Sequence, residues 1–287
     1  MGKLLNISIV LYKTPEDEWK PPVQELLRSK SVHKVYLVDN CQISDVRNQI
    51  SDVRNQISDV RNQISDLRGV EYIQNEKNIG YGAAHNKAIR ESIYDEIPYH
   101  LVINSDIEVS AKAIDNLVGV MEQNPLVGQL MPRVVGLDGE EQYLCKQLPT
   151  PWDLLRRIVL GKRGVNSEAN RRFELRDIDH SRPINAPYLS GCFMLLRTEA
   201  LRKVGLFDER YFMYPEDIDL TRRIHREYLT LYYPSETIVH AHRRASYHSL
   251  RMLWVHATNM ARYFSKWGWL CDSERMAFNK QLRDAKP

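Results

Sequence analysis

The chain has 287 residues, 43% of them hydrophobic and five of them Trp, which fits one large domain or one domain with a small extension. Its four Cys (Cys41, Cys145, Cys192, Cys271) are scattered without CxxC or metal-site spacing, which argues against a disulfide framework and for a reducing cytoplasm. The net charge of +3 hides an imbalance: residues 155–172 carry six Lys/Arg against one Glu, residues 243–287 carry nine against three acids, and the rest is net negative.

These basic patches fit a membrane leaflet or a phosphorylated ligand, or simply solvated helix faces, and no nucleic-acid motif accompanies them. No run reaches the ~18 apolar residues of a membrane span. The opening MGKLLN enters a strand-like run at once. It has neither signal-peptide design nor the Ser/Thr at position 6 of a myristoylation site, so the protein is expected to start and stay inside the cell.

In chain order, LLNISIVLY (4–12) reads as a buried strand, and after a polar stretch with Pro21 and Pro22, VQELLRS (23–29) reads as a short helix. HKVYLVDN (33–40) and VEYIQN (70–75) are further strands, NIGYGAAHNKAIRESI (78–93) a glycine-containing turn opening a helix, and YHLVINSD (99–106) a fourth strand. Ser110 to Gln123 is an amphipathic helix. This alternation predicts an α/β fold with a mostly parallel sheet, in which ligands bind beyond the carboxyl ends of the strands. Asp39, Asn40, Asn104, Ser105 and Asp106 fall at such ends, although Asp and Asn also stop strands for reasons of turn chemistry alone.

Residues 127–150 read as irregular. From 190 to 242 the expectation is strand (CFMLLR), helix (TEALRKV), loop, helix (EDIDLTRRIHREY), then two strands (LTLYYP and ETIVHAH). Glu216 and Asp217 open a helix, where the dipole and free N–H groups favour carboxylates whatever their function. His240 and His242, two apart on a strand, share one face and make either a metal half-site or a structural pair.

The segments ISIVLYKT, VYLVDN, NIGYGAAHNKAI, VINSDIEV, MPRVVGLDGEEQ, PTPWDLLRR, LSGCFMLLRTEALRKVGLFDERYFMYPEDIDLTRRI and IVHAHRRAS lie in order over residues 7–246. In that order and spacing the chain resembles family-2 glycosyltransferases of the GT-A fold, above all the rhamnosyltransferase-like branch that builds bacterial surface polysaccharides such as O-antigen or capsule. The resemblance implies a Rossmann-like α/β fold, a mixed and mostly parallel sheet flanked by helices. The domain would span 1–242, with a nucleotide part (1–125) and an acceptor part (126–242), followed by a basic helical extension (243–287). It also implies roles. Leu11, Tyr12 and Asp39 would hold nucleobase and ribose. Asn78, Gly80, Asn86, Asn104 and Ser105 would shape the nucleotide pocket. Asn104-Ser105-Asp106 stands where the family has Asp-x-Asp, so Asp106 is the charged metal ligand, with His240 or His242 as the second. Asp217 would be the base with Glu216 beside it, and Gly191 with Phe212, Met213 and Tyr214 would border the acceptor.

Such chemistry is consistent with these residue types. Sugar transfer from a nucleotide diphosphate needs the leaving charge stabilised, which Mn²⁺ or Mg²⁺ does, and a base for the acceptor hydroxyl. The donor would be dTDP- or UDP-linked, with rhamnose implied by the branch, and the acceptor a lipid-linked saccharide. One base and direct displacement imply inversion. Trp152, Leu154, Leu155, Trp254, Trp267 and Trp269, near the basic segments, would support peripheral docking at the inner face of a bacterial cytoplasmic membrane.

The helix expected between the VDN strand and VEYIQN is replaced by CQISDVRNQISDVRNQISDVRNQISDLRG (41–69). Ile43, Ile50, Ile57 and Ile64 recur every seven residues and Val46, Val53, Val60 and Leu67 follow three later, an a/d seam. A helix over 43–67 would run roughly 37 Å and, from poor helix formers, would need partner burial. A homo-oligomeric coiled coil is expected, against simple repeat duplication. Two rivals stand beside the enzyme: a non-catalytic coiled-coil scaffold on a degenerate domain, which Asn104 favours, and a sugar nucleotidyltransferase, whose glycine-rich loop VLYKTPEDE lacks.

Overall fold

The structure is a computed structural model that describes residues 2–41, 67–160, 167–241 and 250–284. The seam from Ile43 to Ile64, and His242, lie outside the described residues. Leu67, the last seam position, is described and packs partly buried against the main core.

Strand β1 (Leu5–Leu11) is buried at every position except Val10. Helix α1 (Glu16–Leu26) starts seven residues before the expected 23. Its first turn carries Glu16, Asp17 and Glu18, which suit the positive end of the dipole, and Trp19, Val23 and Leu26 share its buried face. Pro21 and Pro22 lie inside it and remove two backbone donors, a cost that the fully buried indole of Trp19 offsets. β2 (Val32–Asp39), β3 (Val70–Gln74), α2 (Tyr81–Tyr94) and β4 (Tyr99–Ile103) follow as expected, then the short β5 (Ile107–Glu108) and α3 (Ala111–Gln123), whose N-cap Ser110 accepts from Ala113 N–H.

The second part holds β6 (Val127–Val135), β7 (Cys145–Lys146), α4 (Pro151–Leu160), α5 (Glu168–Phe173), β8 (Ile184–Asn185) and β9 (Tyr188–Leu189). After them come β10 (Phe193–Arg197), α6 (Thr198–Val204), α7 (Glu216–His225), β11 (Leu229–His240), α8 (Leu250–Trp267) and α9 (Ser273–Asp284). Two expectations are corrected. The stretch read as irregular contains β6, a nine-residue strand in the sheet interior. Gly128 and Pro132 disguise it, but β10 pairs only with Gln129 and Leu130, so the proline falls beyond that ladder. A Cβ at Gly128 would stand 2.6 Å from Tyr228 and 2.7 Å from Ile224, which is why glycine is there. The two strands expected over 229–242 form one strand, β11, whose register against β6 shifts between Tyr233 and Thr237.

The nine-stranded sheet runs β3-β2-β1-β4-β10-β6-β11-β5, with β8 on β11, while β7 and β9 form a separate pair. β3, β2, β1 and β4 are parallel; β10 runs against both neighbours, and β11 is parallel to β6. The sheet is covered on both faces. In β4, Leu101 and Ile103 face the core under α1 and α3, and Val102 faces the one under α2, α6 and α7. Each such fully buried aliphatic side chain contributes about 1.5–3 kcal/mol.

The C-terminal helices pack onto the domain rather than trailing from it. Met260, Tyr263 and Phe264 of α8 share a core with Leu148, Tyr211 and Ile218. Arg222 of α7, 1% exposed, donates to both oxygens of Asp272 (2.7 and 2.6 Å) and to Glu274 (2.7 Å), and its guanidinium lies 4.1 Å from the Trp267 ring centre. A buried charge of this kind persists only when its donors are matched, so α7 and the C-terminal helices stand or fall together.

Candidate active site

The strand ends meet as the parallel topology requires. Leu11 is in register with Asp39, and Asp39 with Gln74. Asp39 is buried and accepts from the Tyr72 hydroxyl (2.6 Å) and the Cys41 N–H (2.8 Å), while Tyr12 is 47% exposed above it. Asn78 Oδ1 accepts from Gly80 N–H at 3.0 Å and shapes the turn into α2. Gly80 has φ +93°, and a Cβ there would lie 2.3 Å from the Phe212 carbonyl oxygen, which accepts from Tyr81 N–H at 2.9 Å. Only glycine lets the head of α2 approach the loop so closely.

Asn86, on the buried face of α2, is held from a distant part of the chain. Its Nδ2 donates to the Phe207 carbonyl and to Glu209 (both 2.9 Å), and its Oδ1 accepts from Phe207 N–H (3.0 Å). With its amide engaged at both ends and 1% exposed, it ties α2 to the loop after α6. Ser105 is likewise committed, donating to Glu18 of α1 at 2.6 Å.

The first centre forms around Asp106, just past β4. β5 pairs with β11 so that Ile107 stands opposite His240, and Ala241 N–H donates to the Asp106 carbonyl at 3.1 Å. This register brings His240 Nε2 to 3.4 Å from Asp106 Oδ1. His240 Nδ1 meets Gln142 Oε1 at 2.9 Å, and Gln142 Nε2 donates to the His240 carbonyl at 2.8 Å. A cleft of about 600 Å³ opens beside Asp106, walled in part by Asp17, Glu18, Glu25 and Glu108. Carboxylates in this density repel a diphosphate unless a cation stands between them.

Among the described residues no group of three His, Cys, Asp or Glu side chains could hold a metal ion. The pair nonetheless fits one. Two ligands each about 2.1 Å from one cation and at a right angle stand about 3 Å apart, close to the separation of Asp106 and His240. One carboxylate and one imidazole leave positions open for phosphate oxygens. Asn104 does not join them. Its Oδ1 accepts from the Tyr81 hydroxyl at 2.9 Å.

The second centre is the head of α7. Asp217 Oδ2 accepts from Gly191 N–H and Oδ1 from Ile218 N–H, both at 2.9 Å. A Cβ on Gly191 would lie 3.0 Å from the Asp217 Cβ, so the contact needs a residue without a side chain. Burial raises the pKa of Asp217 despite these two donors and nearby Lys146. Glu216 beside it is 4% exposed and is raised to about 8, first by burial and then by the Asp217 charge. Its buried Oε2 has no hydrogen-bond partner among the described residues. At neutral pH Glu216 therefore carries the proton, and Asp217 is the carboxylate of the pair. Asp219, one helical step on, is consumed by Arg223 (2.9 Å), Lys266 (2.7 Å) and Trp267 Nε1 (2.8 Å). In the adjoining loop, Phe212, Met213 and Tyr214 are half-buried; Asn259 of α8 donates to the Met213 carbonyl at 2.9 Å, and Tyr214 packs on His256 with ring centres 5.2 Å apart.

Three residues of this site escape a reading of the sequence. The Tyr81 hydroxyl lies within reach of both Asn104 Oδ1 and the Gly191 carbonyl (2.8 Å), and so spans the two centres. Lys146, 12% exposed, places its cation against the Phe173 and Tyr188 rings (5.8 and 5.9 Å) and lowers the pKa of Asp217. Gln142 sits in the stretch that reads as irregular. Tyr81 and Gln142 lie inside segments that carry the resemblance, but nothing local assigns any of the three a role, because each acts through partners far away in sequence.

The family profile described as glycosyl transferase family 2 matches residues 22–205, more than half of the chain. The chain belongs to this family. Among curated proteins it is 31% identical over 186 residues to an N-acetylglucosaminyl-diphospho-decaprenol L-rhamnosyltransferase of Mycobacterium tuberculosis, covering 60% of this chain and 58% of that one. It is 27% identical over 231 residues to the low-salt glycan biosynthesis hexosyltransferase Agl10 of Haloferax volcanii, covering 79% and 63%. The chain thus spans less than two thirds of either relative. Among solved structures, GalNAc-T7 with UDP, GalNAc and Mn²⁺ superposes with a TM-score of 0.61 at 14% identity, covering 92% of this chain and 48% of that one. The mannosyltransferase PcManGT from Pyrobaculum calidifontis, in complex with GDP-Man and Mn²⁺, gives 0.56 at 13%, covering 99% and 75%. At these identities the likeness is one of fold, and the family-2 chain has the GT-A architecture expected from its motifs.

Proposed function

We propose that this family-2 protein is an inverting glycosyltransferase that moves a sugar, rhamnose first among the candidates, from a nucleotide diphosphate to a lipid-linked saccharide. The observation that carries the reading is the joining of the Asp106–His240 pair to Asp217 through one hydroxyl, that of Tyr81, which reaches Asn104 beside the first centre and Gly191 beside the second. Asp106 and His240 would hold Mn²⁺ or Mg²⁺, which supplies positive charge to the leaving diphosphate. Asp217 accepts the proton of the acceptor hydroxyl as that oxygen attacks the anomeric carbon, and the bond to the diphosphate breaks on the opposite side. A single displacement of this kind inverts the sugar. Gly191 N–H and Ile218 N–H hold the Asp217 carboxylate in place, and its raised pKa makes it a better base than a solvated aspartate.

Asn104, which stands where the family carries a carboxylate, accepts from the Tyr81 hydroxyl and so has a use in this site. The lipid side of the reading is supported by the mycobacterial relative, named for a decaprenol-linked acceptor, and by exposed apolar side chains: Trp152, Leu155, Trp254, Trp269 and Leu270. Trp267 drops out of that set, because its ring is held between Arg222 and Arg226 (4.1 and 4.5 Å). No described helix is long and apolar enough to cross a membrane, and peripheral contact at the inner leaflet is the form the proposal takes. Oligomerisation through the heptads belongs to the same proposal; removing residues 43–63 is expected to lower the mass in light scattering. The test of the reaction is a screen of dTDP-, UDP- and GDP-sugars with and without Mn²⁺, using a lipid-diphosphate saccharide acceptor. Metal-dependent consumption of one donor is expected, and no turnover or binding of any donor would overturn the reading.

A further inference from the structure

The partnership between Gln142 and His240 has a chemical direction. A main-chain carbonyl only accepts, so the Gln142 group facing the His240 carbonyl at 2.8 Å is the NH₂. The other end of the amide, Oε1, is then the atom 2.9 Å from His240 Nδ1, and an amide oxygen only accepts as well. Nδ1 must carry the hydrogen. With Nδ1 committed to the amide, Nε2 is the nitrogen through which the ring can bind a cation, and Nε2 is the atom aimed at Asp106 Oδ1, 3.4 Å away. Without the amide, the favoured arrangement is the reverse, with the hydrogen on Nε2 donated to the carboxylate and no electron pair left for a cation.

Gln142 is itself delivered by the fold. Its N–H donates to the Val134 carbonyl at 3.0 Å, Glu141 bridges to Val135, and Val135 stands opposite Val239 in the β6–β11 ladder. The side chain is thus carried to His240 by the same register that carries His240 to Asp106.

We infer that Gln142 is the positioning residue that holds His240 in its Nδ1–H form and thereby turns the Asp106–His240 contact from a hydrogen bond into a cation-binding pair. The inference rests on the cation-assisted reading above and adds to it the residue that arms the imidazole. A partner on the far nitrogen of a metal-bound histidine sets both ring orientation and ligand basicity, and its loss typically weakens metal binding by about 10–100-fold.

The experiment uses the full chain, labelled with ¹⁵N-histidine, with no donor or acceptor present. Ring-nitrogen shifts of His240 are recorded without metal, assigned against His240→Gln, and Mn²⁺ affinity is measured by the EPR signal of the free ion. In the native protein the Nδ1–H form and saturable Mn²⁺ binding are expected. Gln142→Leu removes both bonds; the hydrogen should move to Nε2 and Mn²⁺ affinity should fall by about 10–100-fold. Gln142→Glu keeps an acceptor on Nδ1 and should retain the native tautomer and most of the affinity. A native ring protonated on Nε2 or on both nitrogens overturns the inference, as does no Mn²⁺ binding by the native chain, or an unchanged tautomer and affinity in Gln142→Leu. Glycosyl transfer by the native chain, assayed in parallel, separates the two levels: turnover with a failed tautomer result sinks only the role of Gln142, and the Nδ1–H result without turnover sinks only the reaction.

Discussion

Asp106 lies in the turn between β4 and β5 and faces an imidazole, whereas Asp217 lies at the head of a helix and faces two backbone N–H groups. The first carboxylate opens on an acidic cleft; the second is desolvated, and its neighbour Glu216 is more deeply buried still. The difference teaches what each can do. A carboxylate beside an imidazole and other acids is suited to share a cation, which supplies the countercharge. A half-buried carboxylate held by main-chain donors keeps its geometry while its pKa rises, which suits proton transfer.

The sharpest way to break this contrast is Asp217→Asn, which keeps the shape and removes the basicity. Transfer should fall by about 10²–10⁴-fold with donor affinity unchanged, and a parallel loss of donor binding in calorimetry would assign Asp217 to the donor instead. Next, Asp106→Ala should cost about 10²-fold in turnover and leave the residue of activity insensitive to EDTA; full, still Mn²⁺-dependent activity would place the cation elsewhere. Tyr81→Phe tests the link between the centres. It removes the donor to the half-buried Asn104 oxygen at a cost of about 0.5–1.5 kcal/mol in stability, read from denaturant melts, and should lower kcat by about tenfold with little change in KM. The smallest effect is expected from Glu216→Gln. At pH 7 Glu216 already carries its proton, so the variant should match the native rate. Above about pH 8 the native Glu216 ionises beside Asp217, and native activity should decline where the Gln variant does not. The acid limb of both profiles should lie above the ordinary aspartate range, because burial raises the Asp217 pKa.

Legibility follows the range of the interactions. β1, β2, β3, β4 and α2 were readable because each is an uninterrupted apolar run, or an apolar stripe, closed by its own turn residues. α1 was half-hidden by Pro21 and Pro22, whose local penalty is overridden by the burial of Trp19. β6 was hidden altogether: Gly128 serves Tyr228 and Ile224, which lie about a hundred residues away. The family motifs single out Asp106, Asp217, Gly191 and Gly80, and the structure sets Asp106 against His240, Asp217 against Gly191 and Gly80 against Phe212. They also point to Asn86 and Ser105, whose side chains tie α2 and the turn after β4 to distant elements, contacts that no motif spells out.

From the sequence alone came the fold class, the family and the two carboxylates, because periodicity, turn chemistry and motif spacing are written into neighbouring residues. What only the tertiary structure decided is how those carboxylates are equipped. The register of β5 on β11 chooses His240 for Asp106, the amide of Gln142 reaches it from the turn after β6, and burial beside the Asp217 charge raises the pKa of Glu216. Protonation and ligand geometry depend on distances of a few ångström between segments that the chain keeps far apart, and no local pattern encodes such distances.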